Sequence, residues 1–303
     1  MTEPEPKQKG DLVEGYRILA ELGRGAASII YLVQDPKTKQ VWALKHVEKN
    51  GPKEQRFLDQ AELEYRTSQA VPHDAVRRID RLIKKGSLLS VKELYLVMEL
   101  VDGVSLHEIG KIPLTDAVDI FRQVASGMAA MHDAGYVHAD MKPHNIIIGP
   151  DSTGKHIAKI IDLGQACKIG TIKERIQGTP DYIAPEQVHR REITPQTDVY
   201  NLGAAMYWVL TRRTIPTAMG TKPDSLVGSL DDSLIERPVP VHDLNPDVPE
   251  RLSDLIASCV EVMPDKRPAT MHKVADRLDL IYGILRARAD EANEPTDVAS
   301  DAG

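Results

Sequence analysis

His138-Ala139-Asp140-Met141-Lys142-Pro143-His144-Asn145 stands near the middle of a chain of 303 residues, and Ile161-Asp162-Leu163-Gly164 follows it. Further on come Gly178-Thr179-Pro180-Asp181-Tyr182-Ile183-Ala184-Pro185-Glu186 and Asp198-Val199-Tyr200-Asn201-Leu202-Gly203. Upstream lie Gly23-Arg24-Gly25-Ala26-Ala27-Ser28 and Trp42-Ala43-Leu44-Lys45. Taken singly, these segments say little: a lysine after apolar residues is usually a strand-end charge, and a glycine-rich hexapeptide is usually a hairpin turn. The residues beyond the glycines narrow the choice. A dinucleotide fingerprint needs strand, loop and helix, so that a helix N-terminus meets the pyrophosphate. Here the loop leads into Ile29-Ile30-Tyr31-Leu32-Val33, which is β-branched and strand-like. The dinucleotide reading fails, and a flap between two strands remains, whose backbone N–H groups approach phosphates from above.

Outward from these segments, Tyr16–Leu22, Ile29–Val33 and Val41–Val47 form three apolar runs separated by the glycines and by the turn Asp35-Pro36-Lys37-Thr38-Lys39-Gln40. They predict an antiparallel meander. Phe57, Leu58, Ala61, Tyr65 and Val71 among charges predict an amphipathic helix over 53–71. Strand-like runs occupy 76–84 and 94–101. After Gly103 the texture becomes helical, with a helix from about Thr115 to His132 and Thr115 as its N-cap. Short strands at Asn145–Ile148 and Ala158–Ile161 flank a turn, and helices are expected at about 196–211, 248–261 and 270–288. The stretch 213–247 lacks periodicity and reads as loop with at most one short helix. The expectation is an α+β chain in two lobes: a small β-rich lobe of about 12–100 with one helix, and a larger, mainly helical lobe of about 104–289.

The formal charge is −7, with 38 Lys and Arg against 45 Asp and Glu, and this gives no basis for nucleic-acid binding. Five of the acids (Asp290, Glu291, Glu294, Asp297 and Asp301) lie in the final stretch 290–303, which holds no base; without them the charge is −2. Residues 290–303 therefore read as an acidic disordered tail and 1–11 as a flexible N-terminus. Only Cys167 and Cys259 are present, which excludes a disulfide-dense secreted scaffold and suits reduced thiols in the cytoplasm. The N-terminus lacks an apolar signal segment, and no run of about 18 apolar residues exists, so no membrane span is expected. The ten histidines show no metal-ligand spacing.

In this order and at these spacings, over about residues 16–285, the segments resemble the motifs of a eukaryotic-type (Hanks-type) serine/threonine protein kinase, with the look of a bacterial member. The resemblance implies a bilobal kinase domain over 12–289, with ATP in the cleft, and phosphorylation of Ser/Thr hydroxyls on protein substrates. It implies that Asp140 is the catalytic base, that Lys142 neutralises charge on the transferring phosphoryl group, and that Thr179 hydrogen-bonds this pair. Lys45 matches the lysine on the α- and β-phosphates, with Glu64 as its helix partner and Glu62 as the alternative. Asp162 and Asn145 match the side chains that hold Mg²⁺, or Mn²⁺ in its place. Leu22, Gly23, Arg24 and Gly25 would cover the nucleotide. Ile30 and Ala43 would roof the adenine beside the gatekeeper Met98, with the backbone of Glu99 and Val101 as hinge and Ser105 at the cleft edge. Glu186 and Arg267 match a buried structural ion pair, and Asp198 a scaffold residue bonded to backbone around His138.

Three positions depart from the family pattern. Ser28 replaces the third glycine and Leu163 replaces Phe after Asp162. Ala139 stands where the family usually has the arginine that pairs with a phosphorylated activation-loop residue. Its absence predicts activity independent of phosphorylation in 165–178, where Thr171 is the only hydroxyl residue. The alternative is a pseudokinase that binds nucleotide and acts as a scaffold. Dimerisation through the small lobe is compatible with the sequence and not readable from it.

Overall fold

Alternation along the first strands decides how the small lobe folds. The computed structural model describes residues 6–293 apart from 26, 50, 52, 53, 88, 89, 152, 220–231, 233 and 234. Six strands, β1 (Leu12–Val13), β2 (Tyr16–Gly25), β3 (Ser28–Gln34), β4 (Val41–Glu48), β5 (Ile79–Ser87) and β6 (Ser90–Met98), form one antiparallel sheet in the order β1-β2-β3-β4-β6-β5. In β3 the residues Ile29, Tyr31 and Val33 are buried and their neighbours are less so, the period of two that a pleated strand imposes. Trp42 and Leu44 of β4 join them in a core on one face, while Ala43 and Val47 pack with Leu94, Leu96 and Met98 on the other. Helix α1 (Gln55–Ala70) closes that second face through Leu58 and Ala61. Lys45 shares the parity of Ala43 and Val47 and therefore faces α1, where Glu64 continues the buried stripe of Leu58 and Ala61.

The larger lobe begins with β7 (Val104–Ser105) and α2 (Leu114–Asp133), followed by β8 (Tyr136–Val137), β9 (Ile146–Pro150) and β10 (His156–Ile160). Strands β11 (Cys167–Lys168) and β12 (Thr171–Ile172), helix α3 (Pro185–Val188) and strand β13 (Glu192–Ile193) come next. The chain closes with α4 (Pro195–Thr211), α5 (Val241–Leu244), α6 (Glu250–Cys259) and α7 (Met271–Asn293). Helices α2, α4, α6 and α7 enclose one continuous apolar core built on Phe121, Met128, Leu202, Met206, Leu255 and Leu278. At the lobe junction the chain needs a glycine: a Cβ on Gly103 would overlap the Ile148 carbonyl, so only glycine lets β7 lie against β9. The lobes are also tied by Val76, which bridges Ile160, and by the Arg77 N–H, which donates to the Ile160 carbonyl at 3.0 Å.

Several boundaries differ from expectation, each for a local reason. Helix α2 starts at Leu114 on Pro113, whose backbone (φ −54°, ψ 142°) supplies the entry, so Thr115 lies inside the helix and is not its N-cap. The expected strand at 76–84 is Ile79–Ser87, because Ala75–Arg77 are drawn to Ile160; the one expected at 94–101 is Ser90–Met98. Lys7 to Asp11, expected to be flexible, are bonded to the sheet: Lys7 N–H donates to the Tyr31 hydroxyl at 3.0 Å and Gly10 N–H to the Ile18 carbonyl at 2.9 Å. Helix α7 continues through Asp290 and Glu291 to Asn293, past the expected boundary at 289, since Ala287 and Ala289 favour its propagation. The rest of the acidic tail lies outside the described residues.

Candidate active site

The hairpin of β9 and β10 brings two sequence-distant groups together. Ile146 pairs with Ile160, and the Ile161 N–H donates to the Asn145 carbonyl at 2.9 Å, so Asn145 and Asp162 emerge at the same end of the hairpin. Asn145 is buried and its Nδ2 donates to the Asp140 carbonyl at 2.9 Å, which leaves its amide oxygen as the atom for a cation. Asp162 has left-handed backbone (φ 61°, ψ 66°), a costly conformation for a non-glycine residue that recurs where function demands a fixed side-chain direction. Burial works against its charge, but Lys45, His138 and Arg77 outweigh it and hold the carboxyl below its usual value. Gly164 keeps the approach tight, since a Cβ there would lie 3.3 Å from Asp162 Oδ1.

Asp140, Lys142 and Thr179 close a triangle. Lys142 Nζ donates to Asp140 Oδ2 at 3.0 Å and to Thr179 Oγ1 at 2.7 Å, and Thr179 Oγ1 donates to Asp140 Oδ1 at 3.0 Å. The loop that carries Asp140 is held from below. Asp198 at the start of α4 is fully buried, and its carboxylate accepts the N–H groups of His138 and Ala139 at 2.8 Å each. His132 Nε2 lies 2.8 Å from the same carboxylate. Burial would raise the Asp198 pKa, yet His132, His138 and the backbone donor hold it below the ordinary carboxylate range.

Across the cleft, Lys45 Nζ lies 2.7 Å from Glu64 Oε2, and Arg77 Nη2 lies 3.3 Å from Glu64 Oε1. Desolvation pushes the Lys45 ammonium down, while Glu64 and Asp162 raise it by more, so it stays charged. Glu62, the alternative partner, faces outward and pairs with Lys84 and Arg66. A cavity of about 180 Å³ runs between Gly25, Ser28, Lys45, Gln60 and Asp162. Its walls combine a cation, a carboxylate and a tight hairpin in which Gly25 pairs with Ser28.

A comparison with protein families matches residues 16–278 to "Protein kinase domain". The chain belongs to the protein kinase family. Among curated proteins, it is 29% identical over 284 residues to the serine/threonine-protein kinase pkn2 of Myxococcus xanthus, covering 90% of this chain and 33% of that protein. It is 30% identical over 273 residues to PknL of Mycobacterium tuberculosis, again a serine/threonine-protein kinase, covering 88% of this chain and 65% of PknL. The chain thus spans a third to just under two thirds of these bacterial relatives.

Ile30 pairs with Lys45, and Ala43 pairs with the fully buried Met98. The Glu99 N–H is spent on the Arg78 carbonyl at 2.9 Å and its carboxylate on Lys159 at 2.8 Å. Val101 lies in the connection to β7, where Ser105 pairs with Ile147. Leu22, on β2 just ahead of Gly23, is 51% exposed. The Arg24 guanidinium grips Glu21 with bonds of 2.7 and 2.9 Å.

Arg267 and Glu186 meet in two bonds of 2.7 and 3.0 Å, and the other Arg267 donors go to the carbonyls of Glu261, Gln196 and Val262, so all five N–H groups are used. Leu163 is buried in the core of the large lobe. Arg77 and His132 are the contributors that sequence reading missed. Arg77 comes directly after His73-Asp74-Ala75-Val76, and that adjacency was the only available signal. Burial raises the Cys167 thiol, which argues against a thiolate nucleophile in the loop.

A metal fits this donor set. Among the described residues no group of three or more His, Cys, Asp or Glu stands ready to hold an ion alone. Mg²⁺ does not require one, because it is bound through one or two carboxylates together with waters and substrate phosphates. Asp162 and the Asn145 amide oxygen are hard oxygen donors at one end of one hairpin, and match that need.

Proposed function

We propose that the protein is an active serine/threonine protein kinase that moves the γ-phosphoryl group of ATP to a hydroxyl on a protein substrate. The single observation that carries this reading is the Asp140–Lys142–Thr179 triangle, in a chain that also pairs Lys45 with Glu64 and sets Lys45 and Asp162 on one cavity. Phosphoryl transfer leaves little covalent work to the protein, so the site must position groups and balance charge. Asp140 would accept the hydroxyl proton as the new P–O bond forms and the β–γ bridge breaks. Lys142 would offset negative charge gathering on the phosphoryl oxygens, and Thr179 would hold both side chains in place. Lys45, kept charged by Glu64, would hold the α- and β-phosphates, with the adenine under Ile30 and Ala43 beside Met98 and the Glu99–Val101 hinge. Asn145 and Asp162 would hold Mg²⁺, or Mn²⁺, which supplies charge neutralisation between phosphates when bound. The reading adds a cytoplasmic location and no nucleic-acid partner. Among the described residues no helix is long and apolar enough to cross a membrane.

We also infer that transfer does not depend on phosphorylation of the activation loop. Ala139 is fully buried among Val137 and Ile193, with Cys167 packed against them, so an apolar cluster occupies the place where a phosphate-binding arginine would begin. Thr171 is paired in β12 with Ile193, and its hydroxyl donates to the Lys168 carbonyl at 2.6 Å. The test is transfer of labelled γ-phosphate to the protein itself and to a generic basic protein, beside Asp140→Asn. Wild type should transfer and the variant should not. Equal inactivity of both, with ATP still bound, would establish the pseudokinase scaffold instead.

A further inference from the structure

With no arginine at 139, something else must fix the catalytic loop against the activation segment. Ala139 has φ 60°, a left-handed conformation that residues other than glycine avoid. Its N–H is held by Asp198 at 2.8 Å, and its carbonyl accepts from Gln187 Nε2 at 2.8 Å. Gln187 lies in α3, is 3% exposed, and spends its whole hydrogen-bonding capacity. Nε2 also donates to the Gln177 carbonyl at 3.1 Å, and Oε1 accepts from Ala184 N–H at 3.0 Å and Asn201 Nδ2 at 2.9 Å. One buried amide therefore joins the residue before Asp140, the segment before Thr179, the start of α3 and the middle of α4. Asn201 extends the network to the Tyr182 carbonyl at 2.7 Å. Gly178 is fitted to it: at φ 134°, a Cβ would lie 3.2 Å from Gln187 Nε2 and 3.1 Å from Ile183. A second tie comes from the segment itself, where the half-buried Lys173 Nζ donates to the Gln165 carbonyl at 2.6 Å, just after Asp162-Leu163-Gly164.

We infer that Gln187 is a positioning residue: its amide holds the Ala139 and Gln177 carbonyls so that Asp140 and Thr179 stay in register, and a neutral side chain thereby replaces the phosphate–arginine clamp. This rests on the reading that transfer is independent of loop phosphorylation. It goes further by naming what holds the segment instead. The amide touches no reacting atom and acts through the backbone on either side of the triangle.

The test uses the full chain with Gln187→Glu and Gln187→Met. Glutamate keeps the shape but sets an unprotonated oxygen against two carbonyls, whereas methionine keeps the volume without any bond. Both variants should lose at least about tenfold in kcat, while KM for ATP moves by less than about twofold. In Gln187→Glu the deficit relative to wild type should shrink as pH falls from about 8 to about 6, because protonating a buried carboxylate restores one donor. A pH-independent deficit, or a kcat within about twofold of wild type in either variant, would overturn the inference. Should Gln187→Glu fail to fold, Gln187→Met carries the kcat test with no buried charge left behind. Thr171→Ala, measured alongside, separates the two readings. If it transfers normally while the Gln187 variants also do, the positioning role falls and phosphorylation independence stands. If Thr171→Ala loses more than about tenfold, phosphorylation independence falls, and with it the claim that Gln187 replaces the clamp.

Discussion

Lys45→Met is the substitution whose consequences the geometry separates most finely. Removing one partner of a buried ion pair ordinarily costs about 3–5 kcal/mol, because the other charge is stranded. Glu64 is not stranded here. Its side chain is 1% exposed, and it has a second cation in Arg77 at 3.3 Å besides Lys45 at 2.7 Å. The expected loss for Lys45→Met is that of one charge-assisted hydrogen bond, about 1.5–3 kcal/mol, with methionine refilling the apolar stem and His138 and Arg77 remaining as cations near Asp162. Arg77→Met breaks only the longer contact and should cost about 1 kcal/mol. The double variant leaves Glu64 buried and alone, so its cost should exceed the sum of the two by at least about 1 kcal/mol. At about 2–4 °C per kcal/mol for a chain near this size, thermal melts without nucleotide resolve all three. Transfer assays add a second axis: Lys45→Met should abolish transfer, while Arg77→Met keeps the Lys45–Glu64 contact and most of the rate. If Lys45→Met alone melted as low as the double variant, Arg77 would not be a counter-ion to Glu64 and the reasoning would fail.

Two further outcomes concern buried charge. Arg267→Leu strands Glu186 and removes the bonds that Arg267 donates to three carbonyls, so it should lower stability by about 3–5 kcal/mol in denaturant unfolding; a loss under about 1 kcal/mol would class the pair with exposed ones. Burial holds His46 below its ordinary pKa, by more than its 3.1 Å contact with Glu93 restores, so the unfolded chain takes up a proton that the folded chain refuses. Stability should therefore fall as pH drops through about 6.5. His46→Phe, which keeps the stack on Tyr95, should melt with a weaker acid-side slope; parallel slopes would remove His46 from the account.

Contiguous motifs made the site legible because each places its own chemistry on a short piece of chain. Lys45, Asp140, Asn145 and Asp162 stand out in the sequence because a strand fixes the first, a loop the second, and the two sides of one hairpin end the last two by local geometry. Between Glu64 and Glu62 the sequence favoured Glu64 only by its spacing from Lys45 and His73, since both glutamates lie a turn from buried helix positions; burial of Glu64 beside Lys45 decides it. The features that escaped were long-range. The 76–84 strand begins late because Ala75–Arg77 are drawn to Ile160, and no local pattern announces that bridge. His132 reaches Asp198, and Gln187 reaches Ala139, across separations that one sequence does not expose. Thr115 misled because a good capping residue stood beside a proline that had already started the helix.

In the proposed reaction one wall of the cleft holds the nucleotide while the Asp140 triangle performs the transfer. Its most direct test measures Mg²⁺-dependent ATP affinity and transfer rate together in Asp140→Asn and Asp162→Asn. Asp140→Asn should bind ATP as wild type does and transfer at least about a hundredfold more slowly, whereas Asp162→Asn should lose the Mg²⁺ dependence of binding. An Asp140→Asn protein that transfers at the wild-type rate would contradict the account.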